Sequence, residues 1–317
     1  MTTRPSAPAT TSPTSDAGPA PAAWLPVAAV GVTLVLWASA FVAIRHLGAD
    51  FSPGALSLGR LVVGSLVLAP FALARGLPRA TPRQWVSLVV IGVLWFGVYN
   101  VALNEGEQRV DAGTAAMLIQ VSPVLIALLA ALFLDERFTP YLGLGLALAF
   151  GGVALIGLST SESGERDLLG VLLCLLAAVV YAVSLVLQKP LVARLPAVQV
   201  TWLACTIGAV ACLPFAGRLV AETVAAPASS VAWVVYLGAF PTAIAFTTYA
   251  YALSRMSAGN LGVTTYLVPP ITIVLGLLLL DETPPTIAYA GGALALVGVA
   301  VARRRPQPRA QRTVAGP

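Results

Sequence analysis

The chain has 317 residues, 58% of them hydrophobic and only 10% charged, with a mean hydropathy of +0.88 and a formal net charge of +5. Soluble domains carry about 25% charged residues, so this composition excludes a soluble fold and points to a chain whose solvent is the bilayer. The basic balance reads as membrane topology, and no nucleic-acid partner is expected.

Residues 1–23 are mostly Pro, Ser, Thr and Ala, a composition that buries no core and is expected to form a disordered tail. Ten apolar runs come after it, near 24–47, 53–74, 84–104, 112–134, 140–158, 167–188, 197–217, 230–253, 259–280 and 285–302. Each approaches the ~20 residues that a helix needs to cross a ~30 Å hydrocarbon core. The first is too long for a signal-peptide core and lacks a basic lead-in, so it reads as a permanent span. The fifth and tenth carry small residues at helical spacing, Gly143, Ala147, Gly151 and Gly152, then Ala290, Gly291, Gly292 and Ala293. Such faces let helices approach closely; packing the halves together is favoured here over a homodimer contact. Residues 303–317, with Arg303-Arg304-Arg305, Arg309 and Arg312, read as a stop-transfer tail against anionic lipid.

The chain contains itself twice. At an offset of 146, Arg109 pairs with Arg255, Ala112-Gly113 with Ala258-Gly259, Pro123 with Pro269, and Leu134-Asp135-Glu136 with Leu280-Asp281-Glu282. Nearer the start the offset is 144, pairing Trp37 with Tyr181, Arg45 with Lys189 and Pro70 with Pro214. The copies are 24–158 and 167–302, joined by a linker at 159–166 and expected on the outer side. Five spans per copy is an odd number, so the second copy enters from the opposite side. The expected fold is therefore all-α and polytopic, ten transmembrane helices as two inverted five-helix repeats around a central cavity. With both termini inside, 13 basic residues fall on the cytoplasmic side and 4 outside, with Arg60 within a span, as retained cytoplasmic loops require. That places the chain in the cell membrane with both ends cytoplasmic.

The residues that carry the duplication also carry a resemblance. Trp37-Ala38-Ser39-Ala40-Phe41, Arg60-Leu61, and the run from Ala112-Gly113 through Ser122-Pro123 to Asp135-Glu136-Arg137 are echoed by Ala258-Gly259, Pro269-Pro270 and Asp281-Glu282. In this order, over about residues 24–302, the chain resembles a ten-helix EamA-like member of the drug/metabolite transporter superfamily. The resemblance implies a carrier working by alternating access, with eight helices lining the cavity and the fifth and tenth outside them. It implies a small-molecule substrate without choosing one, because members move amino acids, sugars, nucleotide-linked metabolites and drugs. Export is the common bacterial use.

Helix rise locates the expected site. At ~1.5 Å per residue, a position eight residues inside a span is ~12 Å deep, close to the midplane. In the first copy that depth holds Trp37, Ser39, Arg60, Asn100 and Gln120; in the second it holds Tyr181, Thr247 and Tyr266, flanked by Thr264 and Thr265. Arg60 carries the most weight. A guanidinium at a helix centre costs about 2.5–3.5 kcal/mol or more when it faces lipid, so it faces protein or water. It reads either as a counter-charge for an anionic substrate group or as a pin that satisfies carbonyls or Gln120. The aligned position in the second copy is near Ala204, so the charge has no twin. Asn100 and Gln120 read as substrate ligands or as interhelical glue. Trp37, Tyr181 and Tyr266 lie too deep for the interfacial aromatic belt and favour a cavity lining. Pro123, Pro269 and Pro270 free backbone carbonyls, as gates or as kinks. Glu136 and Glu282, at opposite boundaries, read first as solvated helix ends.

Other chemistries find little support. Cys174, Cys205 and Cys212 lack metal-type spacing and read as packing residues, and the single histidine, His46, sits at the end of the first span. No cofactor or metal is expected. A phosphate-binding loop is missing, which argues against direct ATP drive. The acidic residues fall in tails, loops and span ends, with Glu105 the deepest, so a proton-coupling carboxylate cannot be named. A secondary carrier, facilitated, exchanging or proton-coupled, is favoured. A non-transporting receptor or scaffold is the alternative, and an intramembrane enzyme comes last.

Overall fold

The computed structural model describes residues 24–74, 76, 79–134, 139–159, 168–281 and 286–302, and all of its regular elements are helical. The expected tails, most of the linker at 159–166, Glu136 and Glu282 lie outside the described residues.

The first copy comprises α1 (Trp24–Leu47), α2 (Pro53–Leu73), α3 (Pro82–Ile91), a π-helical segment (Gly92–Val98) and α4 (Tyr99–Glu107). It continues with α5 (Ala112–Leu118), a 3-10 turn (Ile119–Val121), α6 (Ser122–Phe133) and α7 (Pro140–Ser159). The second begins with α8 (Leu168–Val192), α9 (Ala197–Ala211), a 3-10 turn (Leu213–Phe215), α10 (Ala216–Ala225) and α11 (Ala228–Leu237). A second π segment (Gly238–Ile244), α12 (Ala245–Leu253), α13 (Ala258–Thr264), a 3-10 turn (Thr265–Leu267), α14 (Val268–Leu280) and α15 (Thr286–Ala302) complete it. Both π segments and both of the 3-10 turns preceding α6 and α14 recur 146 residues apart, so the duplication reaches irregularities of single turns.

Local chemistry accounts for several boundaries. Pro53 and Pro82 begin helices where an N–H would be unpaired in any case. Thr81 and Gln84 form a reciprocal capping box at α3. Asp111 accepts from the Thr114 amide at 2.8 Å, and Ser257 accepts from the Asn260 amide at 3.2 Å, capping α5 and α13 at aligned positions. Pro123 and Pro269 stand in the first turns of α6 and α14, just past the 3-10 turns, with Pro270 beside the latter. Each proline tightens the chain locally, while 112–133 and 258–280 still run as single spans.

Among the described residues, seven helices are long and apolar enough to cross a bilayer, and α9 with α10 makes eight if that bent pair is one crossing. The run 197–217, expected as one span, bends by 53° at Cys212, two residues before Pro214. The shorter apolar stretches Gly143–Gly152 and Tyr289–Gly298 belong to α7 and α15, which pack extensively on each other. The centre is built on close approaches between the copies. α2 and α9 lie together, with Cys205 Sγ donating to the Leu61 carbonyl at 3.3 Å and Ser65 bonded to Thr206 at 2.6 Å. α9 also packs on the first π segment and α2 on the second. A Cβ on Gly208 would stand 2.4 Å from that of Phe96, so only glycine permits the first of these contacts.

Candidate functional site

A cavity lies where the copies meet. Trp37 and Phe41 enter it from α1, Arg60 from α2, Trp95, Tyr99 and Leu103 from the π segment and α4, Gln120 from its 3-10 turn, and Tyr181 and Phe246 from α8 and α12. Its solvent-accessible space is about 30 Å³, room for about two waters and no substrate. Rings occupy the remainder. Trp95 stacks on Tyr181 with centroids 5.1 Å apart, Trp37 meets Phe246 at 5.3 Å and Tyr249 at 4.7 Å, and the Tyr181 and Tyr249 hydroxyls are 2.5 Å apart.

Arg60 is 3% exposed. Its Nε donates to Thr242 Oγ1 at 3.0 Å, and Thr242 in turn donates to the Leu237 carbonyl at 2.8 Å. The second bond has a local cause: Pro241 has no N–H, so the Leu237 carbonyl four residues back lacks its helical donor. The π segment thus places a hydroxyl that is already oriented under the guanidinium. Thr242→Val removes both bonds and is expected to cost about 1–3 kcal/mol, read as a lower thermal unfolding midpoint in detergent. Trp37 adds another donor, an indole N–H that is buried and meets no acceptor among the described residues.

The structure separates the residues expected at this level. Trp37, Arg60, Gln120, Tyr181 and Thr265 line the cavity. Gln120 does not bond Arg60: its Oε1 accepts from Thr265 at 3.2 Å, joining the copies, and its Nε2 donates to the Ala116 carbonyl. Ser39 turns away to the Tyr236 hydroxyl at 2.7 Å. Asn100 turns its amide N–H back on its own helix, Nδ2 donating to the Phe96 carbonyl at 2.8 Å where the π turn disturbs the ordinary bonding pattern, while its buried Oδ1 meets no donor among the described residues. Thr264 bonds the Leu261 carbonyl, and the buried Tyr266 lies off the cavity wall. Thr247 lies instead in a separate, wide apolar cleft of about 660 Å³ beside Pro70, Phe71 and Ile244. The acidic expectation also changes. Glu105 is partly exposed and paired with Arg109 at 2.8 Å, whereas Glu107 is fully buried.

A small central chamber between duplicated helical halves, holding one cation and a wall of rings, suits a carrier. The EamA-like transporter family matches residues 24–158 and again 168–304. The chain belongs to that family. It is 40% identical over 278 residues, 87% of this chain and 93% of the relative, to a probable terminal-alkyne amino-acid exporter of Streptantibioticus cattleyicolor. It is 31% identical to the uncharacterized transporter YdfC of Bacillus subtilis, over 83% of this chain and 86% of that one. One crystal structure, 24% identical, superposes with a TM-score of 0.68 over 88% of this chain and 96% of its own, a likeness that speaks to the fold alone. The protein is a multi-pass membrane transporter.

Several lining residues of this EamA-like transporter escaped the sequence reading. Tyr99 lines the cavity where Asn100 was expected, and Phe246 where Thr247 was. In each case the lining residue is the immediate chain neighbour of the one expected. Thr242 was missed because a hydroxyl one residue after a proline carries no mark of its partner. The signal available for Trp95 was a large ring in the middle of the third span.

Proposed function

We propose that this transporter is a secondary carrier of ten crossings, two inverted five-helix repeats over 24–158 and 167–302, lying in the cell membrane with both termini cytoplasmic. It exports a small amino acid or a close relative by alternating access. The observation that carries this reading is the buried Arg60 guanidinium, one edge held by Thr242, beside the unpaired Trp37 indole N–H in a chamber walled by rings. The guanidinium edge that Thr242 does not hold and the indole N–H together match a carboxylate. The faces of Trp37, Trp95 and Tyr181 suit an apolar side chain, and they suit an ammonium through cation–π attraction. The name of the relative 40% identical to this chain, a probable amino-acid exporter, supports the substrate class and the direction. The 30 Å³ of accessible space supports a contracted state that must widen to load.

The substrate class is tested by thermal unfolding of the purified protein against neutral amino acids, their decarboxylated amines and their amides. A ligand that binds only the folded state raises the midpoint. Amino acids are expected to raise it, and amines and amides to leave it unmoved. Equal stabilisation by an amine lacking the carboxylate would overturn the carboxylate site.

A further inference from the structure

Two cations stand at aligned positions, and each closes onto the same joint of its own copy. Arg45, near the end of α1, donates from Nη1 to the Glu107 carbonyl at 3.0 Å. Lys189, near the end of α8, donates from Nζ to the Leu253 carbonyl at 2.7 Å and also to the Met256 carbonyl. Lys189 lies 144 residues after Arg45 and Leu253 lies 146 after Glu107, the offsets at which the copies align. The Glu107 and Leu253 carbonyls are the last of α4 and α12, helix ends that lack internal donors and carry the negative end of the helix dipole. A cation there makes a charge-assisted bond that neither helix can supply for itself.

The helices that carry the two cations, α1 and α8, both line the cavity. Trp37 precedes Arg45 by eight residues and Tyr181 precedes Lys189 by eight, so each contact lies ~12 Å along its helix from the ring it shares that helix with. With the copies inverted across the membrane as proposed, the two contacts seal opposite ends of the chamber. Both are closed here, in keeping with a chamber too small for substrate.

Resting on the alternating-access reading above, we infer that Arg45 and Lys189 are the two latches of the transport cycle, each holding shut one face of the cavity and releasing in alternation. Removing a latch does not merely loosen the protein; it biases which face opens. The sidedness separates this role from simple helix capping.

The test uses a cysteine at Val268, a cavity-lining position, in a chain whose Cys174, Cys205 and Cys212 are alanine. Labelling by a membrane-impermeant maleimide is measured in sealed vesicles of each orientation. Lys189→Met keeps the apolar stem and removes the charge. It is expected to raise labelling about tenfold from the Lys189 face alone, the effect of losing one charged hydrogen bond. Arg45→Met is expected to do the same from the opposite face. Lys189→Arg and Arg45→Lys are expected to restore the unlabelled state. Should a methionine variant fail to accumulate as folded protein, the glutamine variant at that position takes its place. Labelling that is unchanged, that rises equally from both faces, or that rises from one face in both variants overturns the assignment. The readout needs no substrate, so an amino-acid panel that stabilised nothing would remove the substrate reading and leave the latch result standing.

Discussion

Arg60→Gln is expected to lower transport about 10- to 100-fold while leaving a folded protein in the membrane, the range set by losing one charged hydrogen bond to a carboxylate. The measurement is counterflow of the amino acid giving the largest thermal shift, in proteoliposomes, with gel filtration as the control for folding. A folded variant is expected because the guanidinium is held to the protein through Nε and Thr242, a bond that a glutamine amide can take over. Arg60→Lys keeps the charge and loses the planar fork, so an intermediate rate is expected. The result decides between the two roles that a midplane arginine can have. Wild-type transport by Arg60→Gln would make the residue a pin between α2 and the second π segment and nothing more.

The second large effect is expected at Gly238. A Cβ there would stand 2.4 Å from the Val63 Cβ and 2.7 Å from the Arg60 carbonyl oxygen, both on α2. A carbonyl within a helix cannot rotate aside as a flexible side chain can, so Gly238→Ala must push α2 away from the π segment. Overpacking of this kind costs about 1–3 kcal/mol. A fall in transport is expected with it, because the displaced turn is the one that carries Arg60 onto Thr242. The internal control is Gly31→Ala, on the exposed side of α1, where nothing lies within 4 Å. Replacing that helical glycine is expected to be neutral or stabilising by up to about 1 kcal/mol. Equal unfolding midpoints for Gly238→Ala and Gly31→Ala would rule out the close approach as a determinant of stability.

Hydropathy along the chain was enough to see a bundle of apolar helices, and self-comparison was enough to see two copies. The span limits inferred from the runs fall within a few residues of the ends of α1 and α2 and of the continuous spans Ala228–Leu253 and Ala258–Leu280. The run 197–217 is the exception. Its bend at Cys212 comes from Pro214 acting with the Phe215 ring, which sits where a Cβ on Gly54 would be. The aligned Pro70 stays inside a continuous α2, so the same residue type has two outcomes in different surroundings.

The candidate site was legible in one coordinate only. Depth comes from a constant rise per residue, and it singled out Trp37, Arg60, Gln120, Tyr181 and Thr265, all of which line the cavity. Which face a residue occupies depends on rotation, about 100° per residue, and that rotation is disturbed wherever the helix changes type. The i to i+5 bonding of a π turn accommodates one more residue than an α turn and so shifts the phase of the next helical turns. Asn100 and Thr247 both come just after such segments, and both missed the cavity by one position.

What the amino-acid sequence determined by itself was the class of solvent and the duplication, because these depend on composition and order alone. Tertiary structure alone decided that Thr242, and not Gln120, holds Arg60, that Glu107 and not Glu105 is the buried acid, and that Arg45 and Lys189 close on carbonyls of their own copies. Each of those facts is a meeting of two helices. Such meetings are set by the rotation and approach of packed helices, which glycines such as Gly208 and Gly238 permit and which no property of a single segment records.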